Sequence, residues 1–192
     1  PDYDTLVDSP MEIGTFHGLK FQSGGKKHYI VIDGGGNYDQ KKITQDVKKI
    51  VEYTSNMMGD MPYRDYLFIL HTLPNLRGGL EHRNSTSLQF PSFRFRKQEE
   101  YESFLHLATH EYFHTWNGKR IHPESLGPFD YEKEVYTSLL WVMEGVTCHY
   151  ESVIPTRAKL FRPADYLRMI NARIVRFLSK PGRHYQSLEE SS

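Results

Sequence analysis

The sequence predicts an α+β domain, with a small sheet built first and a helical half after it. Three observations carry that expectation. Short β-branched and aromatic runs bounded by glycine-rich turns crowd into the first 95 residues. Apolar residues at helical spacing dominate from residue 96 onwards. No internal repeat or low-complexity stretch interrupts either part. The expected organisation is one domain over 1–192, with 1–95 sheet-rich and 96–192 helical.

The elements follow in order. Residues 1–14 hold an Asp8-Ser9-Pro10 turn and little periodicity, and are expected to be extended. Alternation over 15–21 and 28–33, with Ser23-Gly24-Gly25 between, predicts two strands joined by a turn. Gly34-Gly35-Gly36 ends the second. Without GxGxxG spacing or a following Lys-Ser/Thr, it is a loop rather than a phosphate cradle. Over 41–58, Ile43, Val47, Ile50 and Val51 share one stripe with lysines opposite, which predicts an amphipathic packing helix. Residues 66–71 form a short apolar strand of the buried kind. After a turn at Pro74-Asn75, residues 78–82 begin a strand running towards Phe90. From 99 onwards Phe104, Leu107, Ala108, Glu111, Tyr112 and Thr115 take helical steps, and Pro123, Gly127 and Pro128 stop that helix within 121–130. A second helix is expected over about 134–150, and a third from Pro163 with Tyr166, Leu167, Ile170, Ile174 and Phe177 on its apolar face.

Composition narrows the function. Hydrophobic residues make up 38% of the 192, enough for a core, and Lys plus Arg balances Asp plus Glu at 24 each. A neutral chain without a basic stripe offers no nucleic-acid surface, and no apolar run reaches the roughly 20 residues of a membrane-spanning helix. The single cysteine, Cys148, allows no intrachain disulfide, fits a reducing compartment, and reads as a small buried apolar residue. The chain opens at Pro1-Asp2-Tyr3 without an initiator methionine, which reads as a piece of a longer protein.

The chemistry concentrates in His110-Glu111-Tyr112-Phe113-His114. On a helix, positions i and i+4 project side by side, so His110 and His114 can clasp one metal ion from the same face. Glu111 sits about 100° round from His110. From there it can act as general base towards water that the metal activates. A catalytic zinc needs a third protein ligand and an open position. Asn117 and Arg120 stand where HExxHxxGxxH would need Gly and His, so a more distant acid is the solution. Glu144, a lone carboxylate in an apolar helical stretch, is the strongest candidate, because a buried charge there is costly unless partnered. His122 is the other third-ligand option. Asn117, Thr147 and Asp130 are candidates to orient a ligand histidine. Trp116 and Trp141 are expected to pack the two helices together, and Lys119-Arg120 to form a solvated helix end.

The run from His110 to Ile121, with Leu139-Leu140-Trp141, Glu144-Gly145-Val146-Thr147 and Gly78-Gly79-Leu80-Glu81-His82, resembles the glycyl aminopeptidase family of gluzincin zinc peptidases. The resemblance runs from Asp8-Ser9-Pro10 to the end of the chain. It implies a thermolysin-like zincin fold, one zinc ion on His110, His114 and Glu144, and a peptide substrate. In related aminopeptidases the corresponding strand motif is Gly-x-Met-Glu-Asn. By that likeness Gly78, Gly79 and Leu80 would align the scissile bond and Glu81 would receive the free amino terminus. His82 departs from the motif's Asn, and the His114-to-Glu144 gap exceeds that of better-known gluzincins, which implies an inserted loop at 121–130. The family implies β-rich and PDZ-like domains flanking this chain, a preference for small amino-terminal residues such as Gly, and an oxyanion-stabilising Tyr downstream of Ser192. Two other readings stand beside the aminopeptidase. One is an endopeptidase with the same zinc chemistry, which would not depend on a free amino terminus; the other is a zincin-like binding domain without catalysis.

Overall fold

The structure is a computed structural model, and it describes residues 2–128, 130 and 132–192. It is a mixed α+β fold, a small five-stranded sheet with helices, in agreement with the expectation. The first difference comes at once: residues expected to be extended form a short helix, α1 (Tyr3–Val7). Asp2 explains it, because its side chain accepts the Thr5 N–H as an N-cap.

β1 (His17–Ser23) and β2 (Lys26–Asp33) form the expected hairpin. Its two-residue loop, Gly24-Gly25, has φ of 54° and 75°. Both positions of such a turn must be left-handed, which two glycines adopt without penalty. α2 (Gln40–Met58) starts on an Asp39 cap, which accepts the Lys42 N–H, and stops at Gly59 with φ 85°. It carries the chain back so that β3 (Asp65–Leu73) pairs parallel to β2. The strand expected from 78 towards Phe90 is two antiparallel strands, β4 (Gly78–Glu81) and β5 (Ser85–Pro91). The chain turns at 82–84 because His82 N–H bonds to Ser85 O. The sheet order is β1-β2-β3-β5-β4, so β4 is an edge strand.

α3 (Gln98–Phe113) lies between the sheet and α4 (Leu140–Arg157) and is buried on several sides. Phe104, Leu105, Leu107, Ala108 and Tyr112 join Ile30, Phe68, Leu88 and Phe90 of the sheet and Val47, Ile50 and Val51 of α2 in one core. α4 starts later than the expected 134 and runs past 150, through Pro155. Proline has no N–H and frees the carbonyl one turn back. Here that carbonyl, Glu151 O, accepts from His106 Nδ1 at 3.0 Å. α5 (Pro163–Leu178) begins at proline as expected, yet buries no residue: Leu167, Ile174 and Phe177 of its apolar stripe are exposed. Its link to α4 includes Arg173, which donates to Cys148 O and to the Glu151 carboxylate.

Candidate metal centre

His110 lies in the last turn of α3 and His114 caps its end. The i, i+4 spacing does what helical geometry requires, and the two Nε2 atoms converge to 3.1 Å. Glu144, in the first turns of α4, brings Oε2 to 3.2 Å from His110 Nε2 and Oε1 to 3.6 Å from His114 Nε2. Donors at about 2.0–2.2 Å from a tetrahedral zinc stand about 3.3–3.5 Å from one another. The three side chains fit that ion.

The far nitrogens of both rings are occupied. His110 Nδ1 donates to Glu151 Oε2 at 2.7 Å, and His114 Nδ1 donates to Asn117 O at 2.8 Å. Each bond fixes the ring and, in the neutral imidazole, leaves Nε2 facing the other ring as the atom free to bind a metal in place of a proton. Asn117 is itself held, its amide donating to Met143 O at 2.8 Å and to Thr147 Oγ1 at 2.9 Å. Asn117 and Thr147 are therefore where the sequence reading wanted an orienting group. Asp130 is not: it is exposed, and its carboxylate accepts the Glu132 N–H.

The charge pattern favours a cation. Burial works against a positive His110, but hydrogen bonds with Cys148, Glu144 and Glu151 overcome it and push the imidazole up to about 12. The His110 hydrogen bond holds Glu144 below the usual carboxylate range. Burial opposes the charge on Glu151, yet His110 and Arg173 keep it ionised more readily than usual. Glu111 is buried beneath the pair. Burial raises its carboxyl, His110 pulls it down, and Glu81, Glu144 and Glu151 push it up again, to about 7.

β4 runs beside this centre. Gly79 faces Glu111 so closely that a Cβ there would overlap the carboxyl group. Carboxylate oxygens of Glu81 and Glu111 lie within 4.8 Å of each other and of a His114 ring nitrogen. Gly78 and Leu80 alternate to the opposite face, and Leu80 is 57% exposed. His82 turns away from the centre to Asp8.

Several expectations need correction. Glu144 is half exposed, 51% of its side chain, so the cost of a buried charge does not single it out; its convergence with two imidazoles does. His122 is exposed, its Nδ1 donating to Pro123 O, and it lies outside the ligand group. Trp116 is buried against Tyr112 and donates to Asp60, but Trp141 is 43% exposed and does not seal the helices. Arg120 is exposed as expected, paired at the surface with Asp60, whereas Lys119 is drawn onto Asp8 and only partly exposed. Cys148 is only partly buried and stands with His110 and Glu151. Glu151 itself went unread, although it follows Glu144 by two helical turns and so shares its face.

Over residues 103–192 the chain matches the family model for M61 glycyl aminopeptidase. This is the family to which the sequence motifs pointed. No curated protein matches. The crystal structure of an aminopeptidase N family protein from Idiomarina loihiensis superposes with a TM-score of 0.95 at 34% identity, over 100% of this chain and 34% of that one. A two-domain M1 zinc metallopeptidase bound to L-tryptophan superposes at 0.50 and 16% identity, over 87% of this chain and 33% of that one. The second likeness is one of fold alone. The chain spans about a third of the length of either relative.

Proposed function

We propose that this chain is the metal-binding catalytic part of an M61-type glycyl aminopeptidase, a gluzincin of thermolysin-like fold. One observation carries the reading: the Nε2 atoms of His110 and His114 and the carboxylate of Glu144 converge on one point, with Glu111 buried at its side. His110, His114 and Glu144 would hold one zinc ion, which when bound supplies Lewis acidity and brings the pKa of water to about 7. Glu111, raised into the neutral range by burial, takes the proton of the attacking water and returns a proton to the leaving amine.

Substrate placement falls to β4. Among the described residues no strand pairs with its outer side, on which a peptide can lie as an added strand. Gly78, Gly79 and Leu80 would offer backbone groups to that peptide. Glu81, whose carboxylate lies within 4.8 Å of that of Glu111, would receive the substrate's ammonium. An anchor of that kind makes the reaction an aminopeptidase reaction, and a small first residue such as Gly is the preferred substrate. The β-rich and PDZ-like domains of the family would flank this part.

Elemental analysis of the purified chain beside Glu144→Ala tests the metal site. Near-stoichiometric zinc is expected, lost or greatly weakened in the variant; a chain that takes up no zinc at neutral pH removes the reading. In the full-length protein, glycyl p-nitroanilide should be hydrolysed and its N-acetylated form should not. Equal turnover of the two would make it an endopeptidase.

A further inference from the structure

The opening segment is tied into the centre by one carboxylate. Asp8 closes α1 and accepts three hydrogen bonds from two distant parts of the chain. Arg83 N–H donates to Oδ2 at 2.7 Å and His82 Nδ1 to Oδ1 at 3.4 Å, both just beyond β4. Lys119 Nζ donates to Oδ1 at 2.9 Å. Lys119 stands five residues after His114, and its N–H bonds to His114 O at 2.9 Å. Among the described residues Asp8 is the one side chain that hydrogen-bonds to both parts. Burial opposes its charge, but His82, Lys119 and the Arg83 N–H outweigh burial and hold the carboxyl well below the usual carboxylate range. It stays ionised wherever a peptidase works.

The two parts carry different tasks. β4 ends in Glu81, the proposed amine anchor, and the end of α3 carries His114. Among the described residues β4 is an edge strand paired on its β5 side alone, so its last residues need a second support to hold a fixed distance from α3. We propose that Asp8 is a positioning residue that sets the distance between Glu81 and the His110–His114 pair, so that the first residue of a peptide fits between them. The inference rests on the aminopeptidase reading. Asp8 hydrogen-bonds to His82, Arg83 and Lys119 and to none of the proposed ligand atoms. An anchor that drifts loses binding made alike in the ground state and the transition state, and such a loss raises KM without lowering kcat.

Steady-state kinetics of the full-length protein on glycyl p-nitroanilide separate this role from a simple tether. Asp8→Ala should raise KM about tenfold while kcat stays within about threefold and zinc content is unchanged. Asp8→Asn keeps an oxygen for the Arg83 N–H and should recover part of the loss. Lys119→Met breaks the same bridge from its other end, and should shift KM in the same direction even if Asp8→Ala folds poorly. Lower thermal stability with KM unchanged in Asp8→Asn and Lys119→Met overturns the proposal and leaves a tether. A native protein that cannot cleave the glycyl anilide removes the aminopeptidase reading instead, and this inference with it.

Discussion

Gly79 is a glycine because Glu111 occupies the space a side chain would need. Its backbone is in ordinary extended conformation, so the constraint is contact and not torsion. Gly79→Ala must therefore move either the edge strand or Glu111, the proposed general base. Either displacement separates Glu111 from its proton-transfer geometry, a function worth about 10²–10⁴ in rate. We expect kcat/KM of the full-length protein on a glycyl anilide to fall by about that factor, with zinc content intact, since the three atoms nearest a Cβ at Gly79 all belong to Glu111 and not to a proposed ligand. Undiminished activity in Gly79→Ala would show that Glu111 is not the base, or that β4 yields without consequence. Glu111 itself was readable from HExxH alone, a local pattern whose chemistry follows from helical spacing. The glycine opposite was readable only through a family likeness, because the contact joins residues on separate elements.

Among the elements, α4 shows most clearly what the sequence conceals. Its apolar residues marked it as a helix ending near 150, but the helix runs on to Arg157 with Pro155 inside it. The helix continues because His106, on α3, donates to the Glu151 carbonyl that proline leaves free. That bond has a second effect, since Glu151 is also the residue whose carboxylate accepts from His110. His106→Phe keeps the ring against Phe161 and removes the donor. It should cost about 1–3 kcal/mol, the penalty of an unpaired buried carbonyl. In a Pro155→Ala background the restored N–H can take the same carbonyl, so the cost should shrink. Urea unfolding of the four proteins checks this as a double-mutant cycle. An equal cost in both backgrounds would mean that the two residues act independently. Periodicity also predicted α5 correctly, but not its exposure: an apolar stripe states what a helix can bury, not which neighbour is there to bury it.

At the scale of the whole molecule, the same blindness to long-range pairing leaves the fold's acid limit out of view. His28 is a residue of β2. In the structure it is wholly buried, stacked on Phe21 at 4.8 Å, with Nε2 2.9 Å from the Tyr63 hydroxyl. Tyr63 in turn hydrogen-bonds to Tyr112, inside the HExxH helix. Burial is the chief cause that lowers the His28 pKa from 6.5 to about 4. An unfolded chain binds the proton near 6.5 and the folded chain refuses it until about 4. The unfolded state therefore holds more protons in that window, and stability, full above about 6.5, falls as pH drops towards 4. At pH 5 this one histidine accounts for about 2 kcal/mol. His106, also lowered by burial to about 4, acts in the same direction. His28→Phe preserves the stack and has nothing to protonate. Its stability loss between pH 7 and pH 5, measured by urea unfolding with metal removed from both proteins, should be smaller than the native loss by about 2 kcal/mol. Parallel losses in the two proteins would move the acid limit to other groups. A smaller loss would place it in the core that holds the motif helix against the sheet, so that acid would loosen the scaffold of the centre as well as compete for its ligands.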